Sequence, residues 1–183
     1  MNDFEDGMFK YLTEPTNYKS ANELSSLLVS INERLKQEFW DSVSMNLKEE
    51  LNKKELIVEY ERNGNSFLFK VVKSDWKEIA IAFDEELDIG LKINKKCFSK
   101  EDIVRIAEKY KEELPQIQNE NEEWLCYKKI ENSNFYQFSS FQDLFQILPN
   151  NRDKFINKIV DDLASFTINA LAICDEINKL KRK

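Results

Sequence analysis

The sequence predicts an α+β domain: an antiparallel meander of four to five strands flanked by long N- and C-terminal helices packed on one face. Three observations predict it. Apolar residues recur at three- and four-residue steps from Leu24 to Leu51 and again from Phe155 to Ile177, whereas the period drops to two between residues 55 and 93. The links between these segments are short and show no strand–helix–strand alternation, so the sheet is antiparallel rather than parallel.

Residues 1–19 lack a period and hold Gly7 and Pro15, yet carry Phe4, Met8, Phe9, Tyr11 and Leu12. They read as a segment that docks on the body or on a partner, ahead of a single α+β domain over residues 20–183. Ser20-x-x-Glu23 has the form of a capping box, and Leu24, Leu27, Leu28, Ile31, Leu35, Phe39, Val43, Leu47 and Leu51 follow at helical spacing. The spacing predicts one amphipathic helix to about Lys53, roughly 50 Å long at 1.5 Å per residue. That exceeds what a domain of this size needs, so part of it is expected to pack on another chain.

Glu55–Arg62 and Ser66–Lys73 flank Asn63-Gly64-Asn65, and Asn-Gly between two alternating runs marks a hairpin. Trp76–Phe83 and Asp88–Ile93 supply two further strands around the acidic turn Asp84-Glu85-Glu86-Leu87. Ser99 caps a short helix that Pro115 stops, residues 116–123 form a polar loop, and Trp124–Ile130 supplies a fifth strand. Ser140 with Asp143 opens one more short helix before Pro149, and a long helix from about Arg152 to Leu180 pairs with the first.

Composition removes whole classes of chemistry. The chain has no His, which excludes Ser-His and Cys-His nucleophile systems and the HExxH zinc site. Its three glycines, Gly7, Gly64 and Gly90, are too far apart for a phosphate-binding loop or a dinucleotide turn. Cys97, Cys126 and Cys174 show no CxxC spacing and read as buried, reduced thiols. The acidic start lacks the basic-then-apolar order of a signal peptide, and Lys158, Asp161 and Asp162 interrupt the most apolar stretch, so the expected location is the cytoplasm. With Lys+Arg 27 against Asp+Glu 34, the net charge of -7 repels phosphate on average, and nucleic-acid binding would need a local basic patch.

Three constellations remain. Glu59 and Glu61, followed by Asp75-Trp76-Lys77, have the order of an acid and a (D/E)xK triplet that could hold Mg²⁺ or Mn²⁺ with Lys77 near an attacking water. The competing explanation makes the glutamates the solvent face of a strand and Asp75 a turn residue. Lys95 and Lys96, with Lys128 and Lys129 on a neighbouring strand, could form a basic strip for single-stranded nucleic acid, unless these lysines only solvate the surface. Trp124, Tyr127, Phe135 and Tyr136 belong to an excess of large rings, fitting either a protein-contact face or a core. The acidic turn at residues 84–88 lacks the ligand spacing of a calcium loop, and lysines interrupt the acidic runs that mimicry of nucleic acid would need.

Glu38-Phe39-Trp40-Asp41-Ser42-Val43, Asp88-Ile89-Gly90-Leu91 and Trp124-Leu125-Cys126-Tyr127-Lys128-Lys129 with Asn134-Phe135 precede a long final helix. In that order they resemble the C-terminal region of some bacterial PD-(D/E)XK nuclease-like proteins, over most of residues 20–180. The resemblance implies a prokaryotic or phage setting linked to defence against foreign DNA, as an accessory domain without the nuclease part. The family's catalytic acids and lysine stand where an apolar strand runs into (D/E)xK. Here Asp75-Trp76-Lys77 precedes its apolar run, so no catalytic residue carries over. The expectation is a non-enzymatic domain that binds another protein, needs no cofactor and could self-associate through its long helices. A metal-dependent nuclease and a single-strand binder are the alternatives.

Overall fold

Five antiparallel strands form one sheet in sequence order: β1 (Ile57–Asn63), β2 (Ser66–Val72), β3 (Ile79–Asp84), β4 (Asp88–Ile93) and β5 (Trp124–Lys129). The computed structural model describes residues 3–63, 66–110, 112–113, 124–130, 138 and 140–180. Register follows the alternation read from sequence. Tyr60 lies opposite Phe69, Phe69 opposite Phe83, Phe83 opposite Ile89 and Ile89 opposite Lys128, so these residues share one face. Glu59, Lys70, Ala82, Gly90 and Tyr127 line up on the other.

Two helices cover the first face. Leu47, from the second half of α2 (Pro15–Asn52), and Leu163 and Thr167, from the last helix at Asp153–Asn178, border one small void with Phe69, Ile81, Phe83 and Ile89. The elements between them are α3 (Lys100–Lys109), α4 (Phe141–Gln146) and a 3-10 turn at Lys95–Cys97, which makes the last helix α5. Trp40 sits at the centre of the aromatic packing, with ring centroids 4.3 Å from Phe67, 5.7 Å from Phe83 and 6.2 Å from both Phe69 and Phe138. The caps behave as their residues dictate. Ser99 accepts from Asp102 N at the start of α3, and Ser140 with Asp143 forms a reciprocal capping box on α4.

The first fifty residues depart from expectation. Residues Asp3–Thr13 form a helix, α1, rather than an aperiodic segment, and α2 begins at Pro15. Glu14, extended at φ -62° and ψ 132°, separates the two helices. Proline fits the first helical turn because its missing N–H has no partner there and its φ is already helical. Ser20-x-x-Glu23 therefore lies inside α2 and caps nothing.

The apolar series in α2 is also not a single face. Phe39, Trp40, Val43, Leu47 and Leu51 are buried, whereas Leu24, Leu27, Leu28 and Ile31 are exposed. Each four-residue step overshoots a full turn by about 40°. The stripe accordingly winds around the helix, and Leu28 points about 100° away from the direction of Leu47. The body buries one part of the spiral and leaves the other in solvent. Among the described residues, no helix is long and apolar enough to cross a membrane.

Candidate interaction surfaces

The first half of α2 and all of α1 project from the sheet-and-helix body as an arm. Its large apolar residues run from Met8 at 41% exposure to Phe9 at 70%, and include Tyr11, Tyr18, Leu24, Leu27, Leu28, Val29 and Ile31. At roughly 150–250 Å² for a large side chain, these nine leave on the order of 1,000 Å² in water. They do not form one patch: Leu24, Leu27, Leu28 and Ile31, at i, i+3, i+4 and i+7, gather on one side of α2, whereas Tyr18 and Val29 point to the other. At the junction one ion pair within α2 is joined by one that crosses to the body. Arg34 Nε donates to Glu38 Oε1 at 2.9 Å, and Arg152 Nη1, from the residue preceding α5, reaches Glu38 Oε2 at 3.4 Å. The Arg34 hydrogen bond above all, with Arg152 behind it, holds the Glu38 carboxyl below the ordinary carboxylate value.

The structure does not bring the metal candidates together. Glu59 and Glu61 lie on the solvent face of β1, and Glu61 pairs with Lys70 at 3.0 Å. Glu61 is opposite Leu68, while the far end of that pairing, Ile57 with Val72, is four positions away, or about 13 Å along the strands. Asp75 lies beyond that end again. Among the described residues, no group of three or more Asp, Glu or Cys side chains is placed to hold a metal ion.

Asp75-Trp76-Lys77 instead clasps the end of α5. Asn178 Nδ2 donates to Asp75 O at 3.0 Å, and Lys77 N donates to Asn178 Oδ1 at 3.0 Å. Trp76, 8% exposed, donates through Nε1 to Asp175 Oδ1 at 2.8 Å, and Lys73 Nζ is 2.9 Å from both Asp175 oxygens. Burial pushes the Asp175 carboxyl up, but the Lys73 and Trp76 hydrogen bonds outweigh it and hold the group below its ordinary value. A triplet with the letters of a catalytic motif fastens a helix to a strand connection.

The four lysines do not form one strip. Lys128 and Lys129 point to opposite faces: Lys128 Nζ lies 5.7 Å from the Phe166 ring centroid on the helix side, whereas Lys129 Nζ meets Asp88 at 3.4 Å on the other. Lys95 and Lys96 follow the far end of β4, whose six residues span about 20 Å. Burial lowers the Lys95 ammonium below its ordinary value. Lys96 borders an open groove on the outer sheet face with Glu59, Lys70, Lys73, Glu78 and Lys92, where both charge signs mix.

Of the aromatic candidates, Trp124 is 6% exposed, with Lys92 Nζ 4.7 Å above its ring centroid, which places it in packing rather than on a contact face. Tyr127 is half-buried on the outer face, its ring centroid 5.6 Å from that of Trp124. Phe135 and Tyr136 lie outside the described residues. Cys126 and Cys174 are fully buried as expected, but Cys97 is only half-buried. Burial pushes the Cys126 thiol up to about 11 and raises that of Cys174 as well, which suppresses their thiolates.

The exposure of Leu24, Leu27, Leu28 and Ile31 is hidden in the sequence, because their spacing matches that of the core-facing residues downstream. The four-residue steps and the excess helix length were the available signals. No family model, curated protein or solved structure matches this chain.

Proposed function

We propose that this chain is a protein-interaction module: a rigid α+β body that presents a helical arm as its contact surface. The observation that supports it is the run of exposed apolar side chains from Met8 to Ile31, carried on a helix whose continuation is locked into the core from Phe39 to Leu51. Exposing this much apolar surface is unfavourable at about 25 cal/mol per Å², so a protein that keeps it does so for a contact that covers it. A helix needs no catalytic apparatus to do this. The contact is of the helix-in-groove or helix-on-helix kind, read through residues at i, i+3, i+4 and i+7.

The test is affinity capture from source-cell lysate, with and without nuclease, using the tagged full-length chain and a Leu24→Asp/Leu27→Asp variant. Both positions are exposed, so the variant keeps the body's circular dichroism and melting temperature. A protein captured by the parent, resistant to nuclease and lost with the variant, supports the reading. Capture unchanged by the variant, or bound material that is wholly nucleic acid, overturns it.

A further inference from the structure

We infer that the arm pairs with the arm of a second copy of this chain, as a short antiparallel two-stranded coiled coil centred between Leu28 and Ile31. The inference rests on the reading of the arm as a contact surface and names what covers it. Ala21, Leu28 and Leu35 on one row, with Leu24 and Ile31 on the other, make the alternating three- and four-residue spacing of a coiled-coil seam. Run antiparallel, this seam is self-complementary. Leu24 meets Leu35 of the second copy, Leu28 meets its Ile31, and the symmetry repeats both layers, giving four layers that are apolar on both sides.

Charge favours the same occupant. The whole chain, at -7, repels its own copy, but residues 15–38 balance Lys19, Arg34 and Lys36 against Glu23, Glu33 and Glu38. The positions flanking the seam are Tyr18, Ser20, Ser25, Leu27, Asn32 and Arg34, of which only Arg34 is charged, and it is already paired with Glu38. No like charges oppose each other across the seam. Of the seam residues, Leu24, Leu28 and Ile31 are 59%, 50% and 45% exposed and supply the apolar surface of this contact.

Orientation follows from the winding of α2. The arm's stripe turns about 100° from the face that packs on the sheet, and Ser42 and Met45, the latter 65% exposed, continue its line past Leu35, which is half-buried against the body. An antiparallel pair puts the two bodies at opposite ends. A parallel pair would place both at one end and set Glu38 against its copy in the next layer.

The experiment is sedimentation equilibrium of the full chain over a hundredfold range of concentration, beside a Leu28→Glu/Ile31→Glu variant. The expected result is a dimer for the parent and a monomer for the variant, with the same thermal melt of the body. A nitroxide label at Lys19→Cys, in a Cys97→Ser background, reads the register by pulsed electron resonance. The antiparallel register puts the two labels about 30 Å apart along the axis; a much shorter separation replaces it with a parallel pair. A dimer that survives the double substitution locates the interface elsewhere and overturns the inference. A parent that stays monomeric overturns it too. If Leu24→Asp/Leu27→Asp still abolishes capture of another protein in that case, the interaction reading stands while self-pairing falls; if nothing is captured either, both fall.

Discussion

Replacement of Gly90 is tightly constrained by geometry. A Cβ added there would lie 2.0 Å from Cys126 O, 2.6 Å from Tyr127 Cα and 2.8 Å from Tyr127 Cβ. The nearest contact falls 1.4 Å short of the 3.4 Å at which ordinary contact begins, and the obstacle is backbone, not the end of a flexible side chain. Gly90→Ala therefore has to push β5 away from β4. Hydrogen bonds of about 2.9 Å stretched that far are broken, and those nearest the Gly90–Tyr127 pair go first. Two or three lost ladder bonds at about 0.5–1.5 kcal/mol each, with about 1–3 kcal/mol of overpacking, predict a loss of roughly 3–5 kcal/mol. Urea denaturation measures the loss, and hydrogen exchange of the peptide spanning residues 124–130 locates it. Tyr127→Ala should not rescue the variant, because Cys126 O and Tyr127 Cα remain in the way. An unchanged urea midpoint with full protection of β5 amides would refute the argument and the close pairing of β4 with β5.

Asp175→Ala removes the acceptor of buried Trp76 and should cost about 1–3 kcal/mol by thermal melting. Asp175→Asn keeps an acceptor and loses only the Lys73 ion pair, which is partly solvent-exposed, so a drop of under about 1 kcal/mol is expected. Asp175 and Glu176 have folded-state carboxyls held below their ordinary values, in Glu176 chiefly by the Lys109 hydrogen bond and then by that of Tyr110. Their stabilisation is present above the unfolded-state value and is lost as pH falls through the depressed folded ones, so acid melts of Asp175→Asn should show a shallower decline than the parent. Asp84 is the reverse case, raised mainly by burial with the Asp88 charge adding to it. Its contribution is present when protonated and lost as pH rises through the raised value, so Asp84→Asn should raise the melting temperature at neutral pH and leave it unchanged in acid. Trp40→Ala opens the aromatic centre and should destabilise by about 3–5 kcal/mol in urea titrations.

The strands and their order were legible because alternation and Asn63-Gly64 are local signals that one buried face enforces. The caps at Ser99 and Ser140 were legible for the same reason: a side chain and the N–H three residues on decide them. At Ser20 the same letters misled, since a cap acts only where a helix starts and Pro15 had already started it. The candidate site was much less legible. Exposure of Leu24 and burial of Leu47 depend on where the body ends, which no spacing rule contains, and Asp75-Trp76-Lys77 acquires its role from Asp175 and Asn178, about a hundred residues downstream. Lys128 and Lys129 read as a pair in the sequence and are separated by the sheet.

Because α2 runs unbroken from Pro15 to Asn52, the arm and the core share one screw axis and the angle between their two apolar stripes is a phase set by residue count. One residue inserted between Leu35 and Phe39 would advance the arm by about 100°, while a seven-residue insertion would return it to within about 20° of its original bearing and lengthen it by roughly 10 Å. Whatever the arm holds is thereby aimed, and the aim is recorded in the number of peptide units rather than in the identity of any side chain.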